Sequence, residues 1–176
     1  VDIIIPRSAK ITTDFENESM PAFIEETGFR QVILNLVINA KDAIERKGKI
    51  KISLRKVKKG QPIMRGAVGE KKCAPAVGAE LSLTDNGKGI PNDLRQSLFE
   101  PFVTTKTSGS GSGFGLYNTK IFVEDHSGLI GFASEVGKGT TFYLYIPLED
   151  YEEDKPSQSV KRAKRATRAL IKTRKN

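Results

Sequence analysis

The chain has 176 residues, a formal net charge of +8 and a hydrophobic fraction of 38%. That length suits one domain with a real core, and no apolar run approaches the roughly 20 residues of a membrane helix. With one cysteine, Cys73, and one histidine, His126, the sequence disfavours an internal disulfide, a thiolate metal cluster, a His-rich metal site and a Ser-His-Asp triad.

"VDIII" is apolar and stops at Pro6, as a short strand or the trailing end of an upstream segment does. "KITTDFE" alternates like a strand. A long helix is expected to start at Thr27 or Gly28 and to end at Gly48. Within it, "QVILNLVINAKDAI" sets Leu34, Val37 and Ile38 on one side. Val32, Ile33, Leu36 and Ile44 widen the apolar surface almost all round, so the helix should be buried. Asn35 and Asn39 nevertheless share a face, four residues apart. "KIKISLRKV" reads as a strand with one wet face. Residues 58–79 read as a long loop or loose hairpin. "AELSLTDNG" is a strand running into a turn, and "NDLRQSLF" a short helix after Pro91. "TTKTSGSGSG" is a Gly/Ser loop. "FGLYNTKIFVEDHSG" is an amphipathic helix stopped by Gly128. "GLIGFASEVG" and "TTFYLYIPL" form a hairpin across "GKG". This order predicts an α+β fold, a mixed sheet with helices on one face.

The charge sits in a tail. Lys155 to Asn176 holds nine Lys and Arg and no acid, which leaves 20 basic and 21 acidic residues in 1–154. Residues 155–176 are therefore read as a flexible tail or linker. No nucleic-acid partner is expected for the folded body.

Three segments carry chemistry. Asp85 ends an apolar strand just before Gly87 and Gly89. Asp-Asn-Gly supports a tight turn unaided, yet glycines here also let the backbone approach a flat ligand. The carboxylate could then accept from an amino group on a purine edge. Gly109, Gly111, Gly113 and Gly115 precede a helix, whose exposed N–H groups attract phosphate. No Lys-Ser/Thr follows, so this is not a P-loop. Asn35 and Asn39 need partners, since a buried unpaired carboxamide costs about 1–3 kcal/mol. Neighbouring backbone would serve, and so would a ligand or a hydrated Mg²⁺ held by neutral oxygens.

Together these segments resemble a known family. "NLVINAKDA" looks like the N box, "DNGKGIP" the G1 box, "LFEPFVTTK" the F box and "GSGFGLYNTKIFVEDHSG" the G2 box of the catalytic ATP-binding domain of sensor histidine kinases. "GKGTTFYLYIPL" resembles its closing strands, and the N box is like that of nitrogen-regulator-like kinases. The resemblance implies a Bergerat (GHKL) fold: a two-layer α/β sandwich, its mixed five-stranded sheet backed by three helices. It implies residues 1–9 as a junction with a missing dimerisation hairpin, 10–154 as the catalytic domain, and 103–112 as an ATP lid.

Position by position, the resemblance gives Asp85 the adenine amino group, with Gly87, Gly89 and Ile90 close to the base. Asn39 would bind Mg²⁺, with Asn35 in the phosphate region. Gly111, Ser112, Gly113, Phe114, Gly115 and Leu116 would wrap the phosphates. Thr140 would hold adenine through water, Phe99 and Phe102 would anchor the lid, and Lys106 would be a lid cation. Many members carry a basic residue at the position of Asp42; Lys41 is its candidate substitute. The lid has two extra residues.

ATP-hydrolysing relatives place a glutamate four residues before the Mg-binding asparagine, as general base. Here that residue is Asn35, which cannot take a proton at neutral pH. The resemblance thus implies ATP and Mg²⁺ as cofactors and phosphotransfer to a histidine on a separate dimerisation domain. A response-regulator receiver lies downstream. A monomer is expected, located in the cytoplasm, with membrane anchorage of a longer protein left open. His126 reads as structural. The alternatives are a noncatalytic scaffold of the same fold and nucleic-acid binding through the tail.

Overall fold

The computed structural model describes residues 9–45, 47–64, 72–104 and 113–149. The N-terminal "VDIII", the Gly/Ser stretch with Lys106, Gly111 and Ser112, and the basic tail lie outside them.

Alternating side chains build the sheet. In β2 (Gly48–Val57), Ile50, Ile52 and Leu54 join the core, while Lys49, Lys51 and Arg55 point to the other face. β5 (Gly78–Asp85) turns Leu81 and Leu83 inward, and β7 (Gly139–Pro147) turns Phe142, Leu144 and Ile146 inward. With β1 (Ala9–Phe15) and β6 (Leu129–Glu135) they form one sheet in the order β1-β2-β5-β7-β6. β1 pairs parallel with β2, and every other pairing is antiparallel. A parallel pair needs a crossover, and α1 (Glu26–Ala43) supplies it.

The Glu25 carboxylate caps α1 by accepting from the amides of Thr27 and Gly28. Those bonds, Gly28 first and Thr27 next, hold its pKa below the ordinary 4.5. The helix stops at Ala43, short of the expected Gly48, which instead opens β2. Ile44 has left helical geometry (φ −89°, ψ 118°), and the Ala43 carbonyl accepts from Lys88 N–H at 2.9 Å. A tertiary partner thus takes the last carbonyl before the chain turns into the strand.

The buried face of α1 also differs from the expected one. Val32, Leu36, Val37 and Ala40 are buried, whereas Leu34 is half-buried and Ile38 is 38% exposed. The second helix, α2 (Gly115–Asp125), buries Thr119 and Val123. The helix expected over "NDLRQSLF" is a single 3₁₀ turn, Asn92–Leu94, followed by turns. Among the described residues, two α-helices and this turn form the helical layer. The core joins Leu36, Ile50, Leu83, Val123 and Leu144, all at or below 1% exposure.

Within the stretch 58–79, a small two-stranded antiparallel sheet joins β3 (Pro62–Ile63) to β4 (Lys72–Cys73). It makes a second apolar cluster of Val57, Ile63, Met64, Ala74 and Tyr145. Val57 and Tyr145 alternate with inward residues of β2 and β7, so this cluster lies on the sheet face away from the helices. Glu80, only 4% exposed, fastens it: one carboxylate oxygen accepts from Arg55 at 2.8 Å and the other from Met64 N–H at 2.6 Å. Tyr145 Oη donates to the Ala76 carbonyl at 3.0 Å.

Glu80→Ala strands both donors. It should lower unfolding free energy by about 2–3 kcal/mol in urea titration. Amide exchange should rise at Met64 before it rises at Leu83.

Candidate functional site

Unequal helix lengths open a cleft. At about 1.5 Å per residue, the 18 residues of α1 outrun the 11 of α2. Phe29 of α1 packs against Phe122 of α2 with ring centroids 6.5 Å apart, and two hydrogen bonds mark the ends of the contact between the helices. At one, the amide of Glu25 donates to His126 Nε2 at 3.3 Å. At the other, Asn35 Nδ2 donates to the Gly115 carbonyl at 3.2 Å. Past Asn35, α1 continues with no α2 beside it, and its uncovered face carries Ile38, Asn39 and Asp42. These residues line a cavity of about 670 Å³, within the range of small-molecule sites.

The floor comes from the sheet. Asp85 ends β5 and is 4% exposed. Its Oδ1 accepts from Gly87 N–H at 2.8 Å and from Thr140 N–H at 3.3 Å. Both bonds use one oxygen; Oδ2 accepts none from a described residue and belongs to a cavity-lining side chain. Burial pushes the carboxyl above its ordinary 3.8, against the two amide bonds.

Glycine is required at two points of the following turn. A Cβ on Gly87 would stand 2.6 Å from the Ala43 carbonyl oxygen, and one on Gly89 would stand 2.3 Å from that of Glu135. Gly89 also has φ +72°, which favours glycine. The turn is thus wedged between the end of α1 and the β6–β7 hairpin.

Ser134 ties the wall together. Its Oγ accepts from Ile90 N–H at 2.8 Å, lies 2.9 Å from Thr140 Oγ1 and donates to the Gly139 carbonyl at 3.1 Å. Arg95 adds a fork to the carbonyls of Ser134 (2.8 Å) and Ile90 (3.3 Å).

The far end is the start of α2. Phe114, the N-cap residue of α2, gives no side-chain hydrogen bond to the first turn. Gly115 and Leu116 line the cavity at this end, and such a terminus favours anions. Asn35 is fully occupied as an amide, since its Oδ1 also accepts from Gln31 at 2.9 Å. Asn39 is half-buried and bonds to no described residue.

Of the residues singled out in the sequence, Asn35, Asn39, Asp42, Asp85, Gly89, Ile90, Gly113, Gly115, Leu116 and Thr140 line one cavity. Lys41 is exposed and outside it, Gly87 lies behind the wall, and Phe99 packs edge-on against Phe132 with ring centroids 5.9 Å apart. Phe114 packs edge-on against Phe102 at 4.7 Å, also outside the lining; Phe102 is 73% exposed. Lys88, Leu94 and Leu98 line the cavity unforeseen. The apolar pair had a signal, its spacing of four; the supports Ser134 and Arg95 had none.

Comparison with known proteins agrees with this arrangement. The family described as "Histidine kinase-, DNA gyrase B-, and HSP90-like ATPase" matches residues 24–150. The chain is 31% identical over 164 residues to sensor kinase CckA of Brucella abortus, covering 92% of this chain and 17% of that protein. It is 35% identical over 141 residues to the sensory histidine kinase/phosphatase NtrB of Rhizobium meliloti, covering 80% and 36%. The chain thus spans well under half of these curated relatives. The solved catalytic domain of histidine kinase ThkA superposes with a TM-score of 0.60 at 30% identity, covering 80% of each chain. Family model, relatives and solved fold agree: the chain belongs to the histidine kinase-, DNA gyrase B- and HSP90-like ATPase family, as a catalytic ATP-binding domain of the sensor histidine kinase type.

Proposed function

We propose that this domain binds Mg²⁺·ATP in the cleft and presents the γ-phosphoryl group to a histidine of a separate dimerisation domain, from which a receiver domain is charged. The observation that carries the reading is the pairing of opposite ends. Asp85 offers an open carboxylate oxygen at one end, and the first-turn amides of α2 stand at the other. An adenine amino group suits the first and a polyphosphate suits the second.

The donor set fits a divalent cation shared with phosphate. Asn39 is half-buried with its carboxamide oxygen uncommitted to any described residue. Among the described residues, no group of three or more His, Cys, Asp or Glu could hold a metal alone. Phosphate oxygens and water would complete the shell, as Mg²⁺ prefers. When bound, the cation supplies neutralisation of phosphate charge.

Asn35 supports transfer to histidine over hydrolysis. It donates to the Gly115 carbonyl and accepts from Gln31, a pairing that a carboxylate base could not make. Water would lack a base there, whereas a neutral imidazole attacks without one.

That histidine is not His126. Its Nε2 accepts from Glu25 N–H, and its Nδ1 donates to the Phe122 carbonyl at 2.7 Å. Both nitrogens are engaged, and the ring is not part of the cavity lining. Incubation of this chain with labelled ATP should therefore give no acid-labile phosphohistidine. Added hairpin domain from a compatible kinase should become labelled. Label on His126 would contradict the assignment.

Guanine places a carbonyl where adenine has its amino group, so two acceptors would face each other at Asp85. ATP should outcompete GTP for a fluorescent ATP analogue by at least about tenfold, the scale of one lost charge-assisted hydrogen bond. Equal displacement would refute the base pocket.

Asp85→Asn should weaken ATP binding and yet stabilise the free domain. Burial raises the Asp85 pKa above 3.8, so the folded chain binds this proton more tightly than the unfolded one. Ionisation therefore costs stability as pH rises from about 4 through the raised value. Thermal melts without nucleotide should show the variant's advantage growing across that window and constant above it.

A further inference from the structure

We infer that β1 is a self-pairing edge: it joins antiparallel to β1 of a second copy, about a two-fold axis at Thr12, and makes one continuous sheet of two five-stranded ones.

β1 stands at the end of the strand order, and no described residue bonds to its outer side. The Glu16 amide donates to the Leu54 carbonyl at 2.9 Å. Backbone groups alternate sides along a strand. The even residues of β1 therefore bond to β2, while Ala9, Ile11, Thr13 and Phe15 present their N–H and C=O groups outward. Such an edge is a template for another strand, and proteins guard it with proline, bulges or a covering element. β1 contains no proline, and the helical layer leaves its second half open: Thr13 is exposed and Phe15 is 56% exposed.

The strand is complementary to itself. Antiparallel pairing centred on Thr12 sets Ala9 opposite Phe15, Ile11 opposite Thr13 and Lys10 opposite Asp14. The outward-bonding residues then meet as hydrogen-bonded pairs, as antiparallel geometry demands, and the whole of β1 (Ala9–Phe15) is used. Lys10 and Asp14 form a non-hydrogen-bonded pair, with Cα atoms about 4.5 Å apart, and the two-fold axis repeats it. Lys10 is exposed and has no ion pair with a described residue. Asp14 meets Lys51 through Oδ2 at 2.7 Å, and its Oδ1 has no described partner, so one carboxylate can serve both cations. On the helix-side face, Phe15 of each copy covers Ala9 and its diagonal neighbour Ile11 of the other. No residue of β1 lines the cavity, so this surface is separate from the nucleotide site. It also replaces the expected monomer with a weak dimer, since one strand pair buries less than about 1,200 Å².

Sedimentation equilibrium of the full chain should show the monomer mass at about 10 µM and a rise toward the dimer mass at about 500 µM, as for a small interface. Thr13→Pro removes an outward N–H and spares the ladder to β2, so it should hold the chain monomeric. Lys10→Glu sets acid against acid twice and should weaken association about tenfold. Lys10→Glu combined with Asp14→Lys should restore it, which a register that sets Lys10 against any other residue would not. Thr12→Cys in a Cys73→Ser background should oxidise to a disulfide-linked dimer, because the axis brings the two Cα atoms within bridging range. Urea midpoints check that each variant folds, and the charge exchange and the disulfide decide if Thr13→Pro does not. A wild-type chain that stays monomeric at the higher concentration would overturn the inference. So would a dimer that survives Thr13→Pro and ignores the charge exchange.

Discussion

One buried carboxylate organises this domain. Asp85 is acidic, nearly inaccessible, and satisfied on one side by two backbone amides from different parts of the chain. Burying a charge is expensive unless it is hydrogen-bonded, so the turn after β5 and the start of β7 are drawn to it. Once Gly87 and Thr140 are placed, the rest of the wall follows. Lys88 meets the end of α1, Gly137 N–H reaches the Lys88 carbonyl, and Ser134 joins Ile90 to Thr140. The group that shapes the wall is thus also part of the cavity lining.

The cleft is a by-product of helix length. Had α2 run as far as α1, Ile38, Asn39 and Asp42 would have met a neighbouring helix. Polar side chains there would have been a packing defect. Because α2 starts opposite Asn35, the same residues line a cavity, and Gly115 and Leu116 at the start of α2 border it. The start of one helix and a carboxamide of the other, features that a closed core would bury, thus share one cavity.

Much of this is legible in the sequence where the signal is local. Strand alternation gives all five strands of the main sheet, and the aspartate at the end of an apolar strand marks itself by being out of place. The order of segments gives the mixed sheet. The failures are non-local. α1 stops at Ala43 because its last carbonyl is bonded to Lys88, 45 positions on, and no window over the helix contains that fact. The face of α1 that is buried depends on where α2 ends, so the Ile38 side reads as core and is instead cavity wall. The "NDLRQSLF" segment has the composition of a helix but is held as turns, with Arg95 bound to carbonyls of the wall. Ser134 and Arg95 are ordinary residues made important only by what the fold sets beside them.

The link between Glu25 and His126 has a mechanical meaning. It fastens the beginning of α1 to the finish of α2, with the Phe29–Phe122 ring contact close by, while a single amide bond joins Asn35 to Gly115 at the mouth. Two rods riveted at one end and latched at the other behave as tweezers: any change of angle is smallest at the rivet and largest at the tips. The imidazole thus sits at the fulcrum, and the jaws are the segments that border the cavity.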